Sequence, residues 1–377
     1  DFCLSRGLGD VYKRQVADIL RALQQLATFH RNHFSYPVIG ITGSNGKTIV
    51  KEWLHQLLGD QYRIVRSPKS YNSQVGVPLS IWQMEGWHTL AIFEAGISEA
   101  GEMKRLQQMI QPTIGVFTCL GDAHQQGFAS SAEKFHEKAG LFSTASTIVY
   151  SPQQTAGFEI QQPQTRIVTW GQQAGATLQV LQQETKNGLT KLTVTYKGTE
   201  ILFIIPFSDA ASVQNALCCL AVCLSLDIPV AALQQKIQQL QPITLRLELK
   251  KGINHCTLIN DSYSADLSSL EMALNLLQQQ KQHPVTTAIL SDFPVAPAQE
   301  ATTYAQIIHL LQQYHVKRVI AIGSVLKNYM ATLQGSPVLA ASFGSTNSLL
   351  QHLPALNLHN EAILIKGARQ FELEQLM

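Results

Sequence analysis

The chain has 377 residues, enough for two or three domains with cores of their own. Apolar residues make up 45% and charged residues only 14%, which excludes a disordered chain, a collagen-like fibre and a coiled coil. The net charge of +2 makes no case for nucleic acid or an anionic membrane, and no apolar run approaches the roughly 20 residues that span a bilayer. The six cysteines have no zinc-binding spacing. Cys219 and Cys223 sit four apart in an apolar helical stretch, the pattern of buried free thiols in a reducing cytoplasm.

Residues Asp1–Gln15 match nothing that follows and lack the apolar core of a signal peptide. The string CLSRGLGDVYKRQ resembles translated sequencing-adapter read-through and is set aside as non-native. Val16–His33 has helical apolar spacing. Pro37 then opens the apolar strand Val38–Ile41, a glycine-rich turn follows, and Thr48–Leu58 is helical. Strand-like runs recur at Tyr62–Val65, Thr89–Phe93, Thr113–Phe117 and Thr147–Tyr150, with helical patterns between them. This alternation predicts a mostly parallel sheet covered on both faces. From Arg166 to Pro206 the pattern changes to short alternating runs joined by Asn187-Gly188 and Lys197-Gly198, which predict antiparallel hairpins attached to that sheet. Ala211–Leu226 and Val230–Leu240 are apolar helices. Beyond Gln241-Pro242, strands at Cys256–Ile259, Thr286–Leu290, Arg318–Ile322 and Ile363–Ile365 alternate with helices, as in a second α/β domain of Rossmann-like type.

The glycine-rich turn Gly40-Ile41-Thr42-Gly43-Ser44-Asn45-Gly46-Lys47-Thr48 lies where a phosphate cradle belongs, between a buried strand and a helix. Glycines let backbone N–H groups turn onto phosphates, and the helix N-terminus adds its positive end. Lys47 would reach the outer phosphates and the Thr48 hydroxyl would ligate Mg²⁺. The spacing is GxxGxxGKT, with Ile41 where the strict phosphate-loop pattern has its first glycine. Glu94, at a strand end, faces the ligand crevice of a parallel sheet and is a metal-ligand candidate on position alone. A solvated loop glutamate is the plainer alternative.

The segment TGSNGKT resembles the ATP loop of the Mur ligases, which form amide bonds in peptidoglycan precursor synthesis. The resemblance runs from about Val16 to the C-terminus. Ser67–Pro78 resembles the segment ending N-x-x-G-x-P and is most similar to the branch that adds D-alanyl-D-alanine, with Asn72 as a substrate contact. Phe93-Glu94-Ala95-Gly96 resembles the segment whose Glu binds Mg²⁺. Gly121–Phe128 resembles the segment whose His, here His124, serves a second Mg²⁺; the family Asn five residues earlier is Cys119. Lys138 aligns with the lysine that the family carbamylates, and Lys134 is a nearby competitor. Gln214-Asn215 resembles the His-Asn helix start, with Asn215 on the adenine. Leu245-Arg246-Leu247-Glu248 resembles the segment whose Arg reaches the nucleotide, and Asn260-Asp261-Ser262-Tyr263 the segment bordering ribose and adenine. Lys366-Gly367-Ala368-Arg369 resembles K-G-S-R, with Lys366 and Arg369 toward the substrate. Asp292 resembles a further family Asp.

The resemblance implies an ATP-binding central domain at 37–241 and a C-terminal domain at 242–377, preceded by a linker helix at 16–36 from an N-terminal UDP-binding domain that is missing. It implies ATP bound by Gly43, Ser44, Asn45, Gly46, Lys47, Thr48, Asn215, Arg246, Asn260, Asp261 and Tyr263. Two Mg²⁺ sites would involve Thr48, Glu94, His124 and carbamylated Lys138, with Lys47, His124 and Lys138 catalytic. The implied reaction joins D-alanyl-D-alanine to UDP-N-acetylmuramoyl-tripeptide through an acyl phosphate. The chain as given would bind ATP but bind the UDP substrate poorly, and its end at Met377 permits a fusion to a following alanine racemase. Another amino-acid ligase of the family, folylpolyglutamate synthase, a phosphate-loop kinase or GTPase, and a non-catalytic nucleotide binder are the competing readings.

Overall fold

The computed structural model describes residues 15–121, 127–244, 246–331 and 337–377. After the helix α1 (Ile19–Arg31), the chain alternates β1 (Val38–Thr42), α2 (Lys47–Leu58), β2 (Ile64–Arg66), α3 (Gly76–Ile81), β3 (Leu90–Glu94), α4 (Glu102–Ile110), β4 (Ile114–Phe117), α5 (Ser131–Ala139) and β5 (Thr147–Tyr150). Then come β6 (Arg166–Gly171), β7 (Leu178–Lys186), β8 (Leu189–Tyr196) and β9 (Thr199–Ile205), followed by α6 (Ala210–Ser225) and α7 (Val230–Ile237). The nine strands form one sheet in the order β2-β3-β1-β4-β5-β6-β7-β8-β9. Pairing is parallel from β2 to β7 and antiparallel through the two hairpins.

The hairpin turns follow from their residues. Asn187 and Gly188 have φ of 53° and 78°, and Lys197 and Gly198 have 50° and 77°. Two successive positive φ values are the geometry whose twist matches antiparallel strands. The inner strands β1, β3 and β4 are buried along their whole length. Separate apolar clusters cover the two faces, one built around α2 and α6, the other around α3, α4 and Phe135 of α5. Such double coverage is what an all-parallel core requires.

The second sheet contains β10 (Glu248–Lys251), β11 (Thr257–Asp261), β12 (Val285–Ser291), β13 (Arg318–Ile322), β14 (Val338–Phe343) and β15 (Glu361–Lys366). Its helices are α8 (Leu267–Gln278), α9 (Glu300–Gln313), α10 (Leu326–Met330) and α11 (Thr346–His352). The order is β10-β11-β15-β12-β13-β14, with only the edge strand β10 antiparallel. The mixed α/β class read from the sequence is the observed one. No helix among the described residues is long and apolar enough to cross a membrane.

In the first sheet β1 lies between β3 and β4, so the chain passes to opposite sides of it. The crevice outside the carboxyl ends of the strands at such a reversal is where α/β proteins bind ligands. The glycine-rich turn follows β1 there and Glu94 ends β3 beside Ile41.

Candidate active site

The phosphate loop is built by sterics at two glycines. Gly43 has φ +140° and Gly46 has φ +84°, a region that residues with a Cβ avoid. A Cβ on Gly43 would lie 2.0 Å from Thr118 Oγ1, and one on Gly46 2.4 Å from Asn215 Oδ1. Asn215, carried on α6, is thus packed against the loop. Ser44 ties the loop to the end of β4: its N–H donates to Cys119 O (2.8 Å) and its hydroxyl to Gly121 O (2.9 Å). Lys47, first residue of α2, folds back and donates to Gly43 O (2.7 Å) and Ser44 O (3.0 Å). Burial lowers its ammonium pKa, and the charge of Glu94 opposes that shift.

Thr48 lines the cleft and donates to Glu94 Oε2 at 3.1 Å, while Ser70 Oγ lies 2.9 Å from the same hydroxyl. Asn72 also lines the cleft and donates to Glu94 Oε2 at 3.3 Å. Glu94 itself is fully buried one layer behind these two side chains, and its Oε1 accepts no hydrogen bond. A buried carboxylate oxygen with no hydrogen bond, behind a threonine hydroxyl at a phosphate loop, is the hard oxygen ligand that suits Mg²⁺, which takes one or two carboxylates together with substrate phosphates. No group of three His, Cys, Asp or Glu among the described residues could hold a metal without such help. His124 lies outside the described residues.

Lys138 is buried on α5, with Nζ 3.4 Å from Gly43 O. Burial, then the charges of Lys47 and Lys134, lowers its pKa well below the ordinary lysine value. Lys134, one turn earlier and also buried, donates to Gly121 O at 2.5 Å. Three lysines therefore converge on the loop. Cys119 lines the cleft, its Sγ 3.5 Å from Asn45 O, and burial raises its thiol pKa.

The second unit closes the cleft, whose volume is about 270 Å³. Asn45 at the loop tip donates to Ser268 Oγ (2.7 Å) and Asp266 Oδ1 (3.3 Å). Asp266 caps α8 by accepting from Ser269 N–H at 3.0 Å. Burial pushes its carboxyl up, but Lys366 and the Ser269 and Ser268 hydrogen bonds outweigh this and leave it lowered. Arg246 lies over the Tyr263 ring at 4.0 Å, with Arg369 at 6.0 Å from the same ring. Arg246, Tyr263, Asp261 and Asn215 all line the cleft.

Residues 41–223 match the family described as Mur ligase middle domain. The chain carries the middle domain of the Mur ligase family. It is 27% identical over 369 residues to the UDP-N-acetylmuramoyl-tripeptide--D-alanyl-D-alanine ligase of Bacillus subtilis, covering 96% of this chain and 79% of that one. Among solved structures, MurF from Acinetobacter baumannii superposes with a TM-score of 0.80 at 21% identity, covering 96% of this chain and 80% of that one. The MurF ligase of Thermotoga maritima in complex with ADP superposes with a TM-score of 0.78 at 16% identity, covering 97% and 86%.

Asn260, Lys366 and Arg369, which the Mur ligase resemblance points to the ligands, are held by other contacts, as is Asp292, to which it gives no role. Asn260 is fully buried beneath the cleft wall, donating to Glu248 Oε2 at 3.4 Å and accepting from Ser262 Oγ at 2.8 Å. Lys366 is fully buried and paired with Asp261 at 2.5 Å, and it donates to Ser264 O at 2.9 Å. Burial raises the Asp261 carboxyl pKa, opposed by Lys366. Asp292 accepts from the N–H groups of Ser324 (2.8 Å), Val325 (3.0 Å) and Leu326 (2.9 Å), capping α10. Arg369 pairs with Glu374 and is more than half exposed. The sequence reading missed Asp266 and Ser268 as the contact of the phosphate loop with the second unit. It also missed Lys51, which pairs with Glu94 at 3.1 Å. The only signal for Lys51 is its spacing, one helical turn after Lys47.

Proposed function

We propose that this chain is an ATP-dependent ligase that joins D-alanyl-D-alanine to UDP-N-acetylmuramoyl-tripeptide, a step of peptidoglycan precursor synthesis in the cytoplasm. The observation that carries the reading is the cleft. A phosphate loop with Lys47 and Thr48, backed by Glu94 and Lys138, is faced by Arg246, Tyr263 and Asp261 from a second unit. Relatives named as this ligase match along 96% of the chain, which supports the choice of substrates.

In this reading the loop N–H groups and the end of α2 bind the ATP phosphates. Lys47 swings from the carbonyls of Gly43 and Ser44 onto the γ-phosphoryl and stabilises the charge that builds there during transfer. The peptide carboxylate takes the γ-phosphoryl and ADP leaves. The amine of D-alanyl-D-alanine then attacks the acyl phosphate, a proton leaves the nitrogen, and phosphate is expelled with formation of the amide. Asn215, Arg246 and Tyr263 hold the nucleoside, and Asp261 and Asn260 shape that wall. Asn72 and Arg369 face the substrates, while Lys366 acts through Asp261. Contact of Asn45 with Ser268 and Asp266 closes the second unit over the site, which keeps water from the acyl phosphate.

Mg²⁺, when bound, offsets phosphate charge and orients the oxygens. Thr48 and Glu94 would hold one ion, and His124 with Lys138 a second. For Lys138 to serve, its neutral amine adds to CO₂ and loses one proton, turning a cation into an anionic oxygen donor. The lowered pKa of this buried amine favours the neutral form that this addition needs.

The test is phosphate release from ATP with UDP-N-acetylmuramoyl-tripeptide, with and without D-alanyl-D-alanine. Release that needs both, with a product heavier by the dipeptide, supports the reading. Release indifferent to the dipeptide overturns it, and a panel of amino acids then identifies the amine.

A further inference from the structure

Glu94 is fully buried, and the side chains that hydrogen-bond it from the cleft are neutral. Thr48 and Asn72 supply neutral hydrogen bonds to Oε2. The counter-charge comes from Lys51, whose Nζ is 3.1 Å from Oε1, with both side chains fully buried. An isolated buried carboxylate is costly unless it is paired.

Lys51 also binds the segment that flanks Glu94. An ammonium has three donors. Lys51 donates to Ser67 O at 2.7 Å and to Lys69 O, and its Nζ stands almost equally near Glu52 Oε1 (3.0 Å) and Glu94 Oε1 (3.1 Å). Glu94 Oε1 is left with a neighbouring charge and no hydrogen bond. Glu52 is in turn held by Arg66 Nε at 3.0 Å.

The two carbonyls that Lys51 binds belong to the segment following β2. That segment carries Ser67, whose hydroxyl accepts from Glu94 N–H at 3.1 Å, then Ser70 against Thr48, then Asn72 against Glu94. One buried ammonium thus ties the strand that carries Glu94 to the segment that flanks it. We propose that Lys51 is a positioning residue for the metal-side carboxylate: a buried counter-ion that holds Glu94 in place against the segment after β2 before Mg²⁺ arrives. This rests on the reading of Glu94 as the carboxylate that serves Mg²⁺.

The test compares thermal unfolding of the wild type, Lys51→Met, Glu94→Gln and the double variant, first in EDTA and then with Mg²⁺ and ADP. Lys51→Met leaves a buried charge unpaired, so in EDTA it unfolds about 10 °C lower than the wild type. The double variant has no such charge and unfolds above Lys51→Met. If Lys51→Met does not fold at all, the double variant still does. Adding Mg²⁺ and ADP raises the unfolding temperature of Lys51→Met more than that of the wild type, because the cation replaces the missing charge. A double variant no more stable than Lys51→Met, or an equal or smaller Mg²⁺-ADP shift, overturns the proposal. Calorimetry of ADP binding to the wild type, with and without Mg²⁺, separates the two levels. If Mg²⁺ has no effect there, the metal reading of Glu94 fails, while the EDTA arm still decides whether Lys51 is its counter-ion.

Discussion

Each of the two sheets ends a central strand in a buried carboxylate paired with a buried lysine, and the two pairs are built for opposite purposes. In the second sheet Lys366 reaches Asp261 at 2.5 Å and donates to Ser264 O, so the ammonium hydrogen-bonds its carboxylate directly. In the first sheet Lys51 stands 3.1 Å from Glu94 Oε1 while that oxygen stays without a hydrogen bond. The second pair is closed and holds β11 to β15. The first leaves one carboxylate oxygen without a hydrogen bond, directly behind two cleft-lining side chains. A buried pair whose ammonium bonds its carboxylate directly fixes a wall, and one with a buried oxygen left over can serve a cation.

The strongest break in this contrast is Lys366→Met. It removes the only ion-pair partner of Asp261 among the described residues, and breaking a buried pair costs about 3–5 kcal/mol. Urea unfolding reads this loss, and Mg²⁺ with ADP does not restore it. Glu94→Gln behaves in the opposite way. Lys51 keeps Glu52 at 3.0 Å, so unfolding in EDTA moves less than for Lys366→Met. Phosphate release falls by about 10²–10³-fold, the scale for losing a group that stabilises transition-state charge. A Glu94→Gln variant less stable than Lys366→Met would erase the contrast.

Two smaller effects sharpen it. Lys138→Ala lowers phosphate release by about 10–100-fold, as for loss of a residue supporting a metal site. Added short carboxylic acids recover part of that activity, because they resupply an anionic oxygen. Asn45→Ala has the smallest effect. It removes the hydrogen bonds to Ser268 and Asp266, worth about 1 kcal/mol. Steady-state kinetics should show the KM for ATP rising about fivefold, with little change in kcat.

Much of the fold is legible in local patterns. The expected strands at Thr147–Tyr150 and Arg318–Ile322 have the observed bounds. Besides the interior strand β6, which pairs in parallel where antiparallel hairpins were expected, the missed strands β10 and β14 are edges whose patterns carry little apolar signal. β10 reads Glu-Leu-Lys-Lys and pairs on one side only, and β14 alternates between exposed and half-buried residues at the opposite edge. Charged, short edge strands are how sheets avoid pairing with other chains, and the same device hides them from a reading based on apolar runs.

The phosphate loop, its lysine and threonine, the hairpin turns and the strand-end Glu94 were determined by the sequence itself. Each depends on contacts or φ values fixed within a few residues. Tertiary structure alone decided what the charged side chains do. Nothing in the local spacing of Lys51 or Lys366 names its partner, and only the folded sheets bury each against a carboxylate, 43 and 105 positions away respectively. The Mur ligase resemblance pointed Asn260 to the nucleotide and gave Asp292 and Asp266 no role. Folding makes one a strut behind the cleft wall, one a helix cap remote from it, and one the partner of the phosphate loop. Charge acts through space and desolvation, and neither is encoded in local spacing.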